Sequence, residues 1–214
     1  MNDAFEVLRA CRIVPVVKLP DVECAEPLGR ALLAGGISCI EVTFRSAAAE
    51  EGIGVLSKLP GLLVGAGTIR SVEQARAAQR AGARFIVSPA LREDVVRYAL
   101  DEGIAVSPGV CTPSEVERAL DLGVDVLKFF PAESFGGVGT LRAFGAVYPD
   151  VPFMPTGGVN AKNMQEYLAL ENVLCCGGSW LAETKLLSGR RFDEVERRAR
   201  EASRLAGSSG RTAH

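Results

Sequence analysis

Histidine is nearly absent from this 214-residue chain: it occurs once, as the last residue, His214. A chain terminus is a poor place for a fixed catalytic group. This scarcity excludes Ser-His-Asp and Cys-His sites, a histidine general base and histidine zinc centres. Proton transfer falls instead to Glu, Asp, Lys, Tyr or Cys. Long apolar runs are missing too. No stretch approaches the ~20 residues that span a bilayer, so no membrane partner is expected. Nor is there a surplus of one charge: 24 Lys and Arg stand against 26 Asp and Glu. Such a balance gives no electrostatic case for nucleic acid. The arginine-rich stretch 190–204 is interleaved with Asp193, Glu194, Glu196 and Glu201, the pattern of a solvated helix face. The N-terminus is acidic and lacks the basic-then-apolar order of a secretory signal, so a cytoplasmic protein is expected. Six cysteines are present (Cys11, Cys24, Cys39, Cys111, Cys175 and Cys176), none in a C-x-x-C pair. They read as reduced small hydrophobes rather than as metal ligands or disulfide partners.

What the chain does have is an alternation. With 48% hydrophobic and 23% charged residues it is an ordinary globular sequence. Eight short apolar runs, 13–18, 38–44, 62–68, 85–89, 105–110, 126–131, 152–158 and 173–179, read as strands. Most are continuous rather than alternating, as in a parallel sheet buried on both faces. Helical patterns lie between them at 21–33, 71–81, 93–101, from Pro113 to the glycine at 123, and at 160–169. Segments 4–11 and 192–205 flank the set. Ser71 and Gln74 have the spacing of a capping box, and Asn160 can cap the helix that follows it. The βα period predicts an α/β fold, a (β/α)8 TIM barrel with an extra N-terminal helix. Residues 1–206 are expected to form this single domain and 207–214 a flexible tail. The alternative, an open doubly wound sheet, requires a glycine-rich fingerprint after the first strand. This chain has Leu19-Pro20-Asp21 there.

In such a barrel, chemistry lies at the C-terminal ends of the strands. Five runs end in polar residues. Lys128 stands in Val126-Leu127-Lys128-Phe129-Phe130-Pro131, where a cation is costly to bury. A neutral amine there is a nucleophile for a carbonyl, and the bland alternative is a snorkelling side chain. Glu41, Thr43 and Arg45 alternate along the second run and share a face, either as a proton-exchanging carboxylate with a carboxylate-binding guanidinium or as a structural pair. Thr68 ends Gly65-Ala66-Gly67-Thr68, as a hydroxyl donor or as a turn residue. The seventh and eighth runs end in Gly157-Gly158 and Gly177-Gly178-Ser179, each before an expected helix N-terminus. These turns can bind phosphate or can simply be tight. Together the residues fit a class I aldolase acting on a phosphorylated 2-keto acid. A sugar-phosphate isomerase or epimerase with Glu41 as base, and a non-catalytic phosphosugar binder, are the competing readings.

The motifs Glu41-Val42-Thr43-Phe44-Arg45, Gly65-Ala66-Gly67-Thr68, Lys128-Phe129-Phe130-Pro131-Ala132-Glu133, Pro155-Thr156-Gly157-Gly158 and Gly177-Gly178-Ser179-Trp180 closely resemble those of the 2-keto-3-deoxy-6-phosphogluconate and 4-hydroxy-2-oxoglutarate aldolases. They occur in that family's order, over nearly the whole chain. The resemblance implies that Lys128 forms a Schiff base with the substrate carbonyl and that Glu41 is the general acid/base. It implies further that Arg45 and Thr68 hold the pyruvate carboxylate. Gly157, Gly158 and Ser179 would hold the phosphate, and Thr156 the substrate hydroxyls, while Pro89 and Phe130 shape the pocket. It also implies a homotrimer, an N-terminal helix across the barrel's bottom end, and no metal or organic cofactor. Two places depart from the family's usual pattern. Ser88-Pro89-Ala90 replaces Ser-Pro-Gly, and Lys18 ends the first strand, where relatives vary. Arg45 favours a gluconate-type over a galactonate-type substrate.

Overall fold

The computed structural model describes residues 2–208. His214 and the expected tail from residue 209 onward lie outside them. Among the described residues nine strand segments appear: β1 Ile13–Val17, β2 Cys39–Thr43, β3 Leu63–Gly67, β4 Phe85–Val87, β5 Ala105–Ser107, β6 Gly109–Val110, β7 Leu127–Phe129, β8 Phe153–Pro155 and β9 Cys176–Gly178. They form a six-stranded sheet in the order β5-β4-β3-β2-β1-β9 and a three-stranded sheet β6-β7-β8. Every pairing is parallel. β1 and β2 are buried at every residue, which explains their unbroken apolar character.

The expected fifth strand is divided because Pro108 has no N–H to give a ladder. Its carbonyl still accepts from the Lys128 amide at 2.9 Å, so the chain leaves one sheet and joins the next across a single residue. Isolated parallel bridges Phe153↔Val173 and Thr156↔Gly177 connect the β8 and β9 segments. The arrangement is a curled parallel α/β sheet.

Helices cover the outside: α1 Asp3–Cys11, α2 Ala25–Ala34, α3 Ala49–Leu56, α4 Val72–Arg80, α5 Glu93–Asp101, α6 Pro113–Asp121, α7 Gly137–Val147, α8 Met164–Leu168, α9 Thr184–Ser188 and α10 Phe192–Ser208. Ser71 caps α4 by accepting from the Gln74 amide, but the Gln74 side chain takes the Arg70 amide instead of closing the box. Asn160 does not open a long helix. It belongs to a turn, accepting from the Lys162 amide, and α8 begins only at Met164. Asn2 caps α1 and reaches the Gly103 carbonyl just before β5, so α1 sits at the N-terminal side of the sheet. α10 runs through Gly207, which is helical rather than part of a tail.

All six cysteines are free thiols; Cys24, Cys39, Cys175 and Cys176 are buried, while Cys11 and Cys111 are half-buried. Among the described residues no helix is long and apolar enough to cross a membrane.

The best-built helix start is that of α6. The Thr112 hydroxyl accepts from the Glu115 amide at 3.4 Å, and the Glu115 carboxylate accepts from the Thr112 and Cys111 amides at 2.9 Å each. Thr112→Ala removes the cap half of this box and should lower unfolding free energy by about 1 kcal/mol. Chemical denaturation should show the midpoint fall with an unchanged slope; an unmoved midpoint would mean that the Glu115 bonds alone secure this end.

Candidate active site

Register decides which side chains meet. Glu41 pairs with Gly65, Gly65 with Phe85 and Phe85 with Ala105, so these four share one face of the sheet. Ser107 and Gly109 continue that alternation past Ala105, and Gly109 pairs with Lys128, which pairs in turn with Met154. Glu41 and Lys128 therefore face the same interior from opposite parts of the chain. Their charged ends meet there, with Lys128 Nζ 3.6 Å from Glu41 Oε1 and their side chains 6% and 0% exposed.

That contact is an ion pair longer than an ordinary hydrogen bond. Neither carboxylate oxygen of Glu41 has a hydrogen-bond partner. Unsatisfied buried acceptors are uncommon and need a reason. Lys128 Nζ also lies 5.1 Å from the centre of the Phe130 ring, so one flank of the amine is aromatic.

Glycines make the room. A Cβ on Gly67 would stand 1.9 Å from Glu41 Oε1 and 2.5 Å from its Cδ. On Gly65 it would meet the Phe85 ring at 2.2 Å. The Gly-Ala-Gly run of β3 is thus the bed on which the Glu41 carboxylate and the Phe85 ring lie.

Beyond the end of β2, the exposed Arg45 donates through Nε to the Thr43 hydroxyl at 3.1 Å, which itself donates to the Val17 carbonyl at 2.9 Å. Thr43 is therefore a support for Arg45. Thr68, just past β3, holds a left-handed φ of 58°. For a β-branched residue this is strained backbone, on the order of 1–3 kcal/mol, and such strain concentrates at functional sites. Pro89 is half-buried, and its carbonyl abuts Gly109, where a Cβ would approach to 2.4 Å.

On the other side, the Thr156↔Gly177 bridge sets the Gly157-Gly158 turn beside Gly178-Ser179. Gly157 and Gly158 have φ of 96° and 88°, conformations that favour glycine. Gly177 leaves space for the Thr156 hydroxyl, which would lie 2.3 Å from a Cβ there, and that buried hydroxyl has no hydrogen-bond partner. Gly178 is covered by the Trp180 ring, 1.7 Å from where a Cβ would stand.

The expected helix N-termini behind these turns are not formed. A turn separates Gly158 from the five-residue α8, and only a short 3-10 segment, Trp180–Ala182, follows Ser179. An anion here would therefore be met by turn amides and the Ser179 hydroxyl rather than by a helix N-terminus.

Every residue singled out in the sequence thus lies on or just past a strand end. Lys128 and Glu41 meet as an ion pair in the interior, with Arg45 and Thr68 past β2 and β3 and the glycine turns past β8 and β9. Sequence reading passed over Ser107, whose buried hydroxyl is unpartnered on the face shared with Lys128. Strand parity was the available signal, since Ser107 alternates with Val106 and Pro108. Among the described residues, no group of three or more His, Cys, Asp or Glu is disposed to hold a metal ion.

The chain is similar in sequence and fold to known proteins. The family model "KDPG and KHG aldolase" matches residues 5–198. The 2-dehydro-3-deoxy-phosphogluconate aldolase of Treponema pallidum (strain Nichols) is 44% identical, over 97% of this chain and 99% of its own length. The 2-keto-3-deoxy-6-phosphogluconate aldolase of Zymomonas mobilis ZM4, solved with 3-phosphoglycerate, superposes with a TM-score of 0.87 at 38% identity, covering 94% of this chain and 95% of that one. The KDPG aldolase of Legionella pneumophila, solved with pyruvate captured as a covalent carbinolamine intermediate, gives a TM-score of 0.88 at 37% identity, over 92% of this chain and 96% of that one. With a family match across most of its length and relatives this similar, the chain belongs to the KDPG and KHG aldolase family.

Proposed function

We propose that this protein is a class I aldolase that cleaves 2-keto-3-deoxy-6-phosphogluconate to pyruvate and glyceraldehyde 3-phosphate, and 4-hydroxy-2-oxoglutarate to pyruvate and glyoxylate. The observation that carries it is the buried Lys128–Glu41 pair at 3.6 Å, with both Glu41 oxygens otherwise unpartnered.

The Lys128 amine attacks the C2 carbonyl, and proton transfers turn the carbinolamine into an iminium ion and water. Glu41 then takes the proton of the C4 hydroxyl as the C3–C4 bond breaks. The bonding electrons pass into the iminium, leaving an enamine and a free aldehyde. Protonation at C3 and hydrolysis release pyruvate and restore the amine. The terminal guanidinium nitrogens of Arg45 offer the paired donors that a planar carboxylate takes, and Thr68 adds a hydroxyl. The unpartnered Thr156 hydroxyl suits a substrate hydroxyl, and Gly157, Gly158 and Ser179 suit the phosphate. Pro89 and Phe130 wall the pocket. The covalent carbinolamine of the Legionella relative supports the imine step.

The same reading takes residues 1–206 as one (β/α)8 barrel domain with an extra N-terminal helix. Two features support closure: the single-residue break at Pro108 and the bridges between the β8 and β9 segments. It also takes the protein as cytoplasmic, from the acidic N-terminal sequence, and as a homotrimer without metal or organic cofactor, which rests on the family resemblance.

Incubation with pyruvate and borohydride should modify Lys128 irreversibly, as peptide mass mapping would show. Labelling of a different lysine, or of none, would end the imine mechanism. Lys128→Ala should abolish turnover. Lys128→Arg separates this reading from an isomerase, because it keeps the charge but forms no imine.

Glu41→Gln should slow cleavage by roughly 10²-fold or more, the usual scale for a lost general acid/base. Near-normal steady-state rates would assign the proton to another group. Gly67→Ala pushes a methyl group into the Glu41 carboxylate and should cost about 10²-fold in kcat, the scale of a misplaced catalytic group. An unimpaired Gly67→Ala enzyme with intact circular dichroism would show that Glu41 need not stand where it does.

A further inference from the structure

Glu133 begins the short turn that follows the Lys128 strand, and its side chain reaches the glycine turn after β8. A Cβ on Gly158 would lie 2.3 Å from Glu133 Cγ and 2.6 Å from its Cβ. The backbones are laced at the same place. The Glu133 amide donates to the Gly157 carbonyl at 3.0 Å, and the Ala132 amide to the Thr156 carbonyl at 2.8 Å.

From behind, the wholly buried Tyr167 of α8 donates its hydroxyl to Glu133 Oε1. Gly137 closes the third side. A Cβ there would be 2.9 Å from Tyr167 Oη and 3.0 Å from Glu133 Oε1. Burial first, and then the hydrogen bond to the carboxylate, push the Tyr167 phenol up, so it stays a donor throughout the physiological range. None of these groups has a role in the steps given to Lys128 and Glu41.

A turn built on two glycines at positive φ has wide conformational freedom and must be held from outside to present its amides one way. A loose carboxylate beside a phosphate would also repel it. One arrangement meets both needs. We propose that Glu133 and Tyr167 are positioning residues: their bond locks the Gly157-Gly158 turn to the end of the Lys128 strand, and so sets the separation between the imine-forming amine and the phosphate end of the substrate. Selectivity for a phosphorylated over an unphosphorylated 2-keto acid then depends on two groups to which the proposed steps give no bond with the substrate. This inference rests on the aldolase reading above.

The test is steady-state kinetics of the full chain on 2-keto-3-deoxy-6-phosphogluconate and on 4-hydroxy-2-oxoglutarate, which carries no phosphate. Tyr167→Phe and Glu133→Ala should each raise KM for the phosphorylated acid about tenfold, the scale of a lost hydrogen bond to a charged group, and leave kcat nearly unchanged. Their kcat/KM for the unphosphorylated acid, and pyruvate–borohydride labelling of Lys128, should stay within about twofold, since neither involves a phosphate. Glu133→Gln keeps an acceptor for the Tyr167 hydroxyl and should keep KM closer to the unsubstituted value than Glu133→Ala does. An equal loss on both substrates, or an unmoved KM, would overturn the inference, the first by revealing a merely structural role. Unsubstituted protein that fails to cleave the phosphorylated acid would overturn the aldolase reading, and this inference with it.

Discussion

A buried amine facing a buried carboxylate is the constraint on which the rest depends. Removing two charges from water costs several kcal/mol per ion, and their attraction repays this only with good geometry and satisfied lone pairs. Here the Glu41 oxygens are unsatisfied and the contact is 3.6 Å, so stability alone does not account for the pair. What holds it is a sheet that leaves neither side chain another place to go. The β3 glycines take the carboxylate against the backbone, the Phe85 ring packs on Gly65 beside it, and Phe130 stands over the amine. With histidine absent from the described residues, the proposed proton movement and nucleophilic attack both fall to groups of this kind.

Much of this was legible in the sequence, and the reasons differ by residue. Lys128 and Glu41 stood out because a charge inside an unbroken apolar run has few innocent explanations. The parallel order of the strands followed from the βα period. Where the sequence misled, glycine or proline was usually the cause. α3 and α7 went unlisted among the helical patterns because Gly52, Gly54, Gly137, Gly139 and Gly145 lower helix propensity, and their packing on the sheet restores the helix. Pro108 split a strand that reads as continuous. The helix start expected behind the Gly157-Gly158 turn is displaced because Asn160 and Asn163 bond locally, the Asn160 amide donating to Asn163 Oδ1 at 2.8 Å. The Glu133–Tyr167 contact was not readable at all, since it joins residues brought together only when β7 and β8 pair.

The site divides into three regions with different materials. The proposed reading gives carboxylate recognition to side chains past β2 and β3, where Arg45 leans on Thr43 and Thr68 takes a strained backbone. It gives bond making and breaking to the interior pair. The far end, past β8 and β9, is built on glycine backbone, with the Thr156, Ser179, Trp180 and Glu133 side chains around it. A chain of this length has short loops, so each region must be formed by the first residues beyond a strand and steadied by something behind it.

That economy has a physical consequence for where disorder would do harm. A strained Thr68 and an unpaired Thr156 hydroxyl each oppose the folded state locally. They persist because the parallel sheet is buried on both faces and over-determines its own register, so the cost is met by packing that the site does not touch. Side-chain sites inherit this rigidity directly, because Lys128 and Glu41 are themselves strand residues. The glycine turns do not, because they begin where the ladder ends. Their order has to come from lateral ties to the neighbouring segments: the Thr156↔Gly177 bridge on one side and the Ala132 and Glu133 amides on the other. Precision at the amine is therefore a property of the sheet, whereas precision at the far end is a property of contacts between loops.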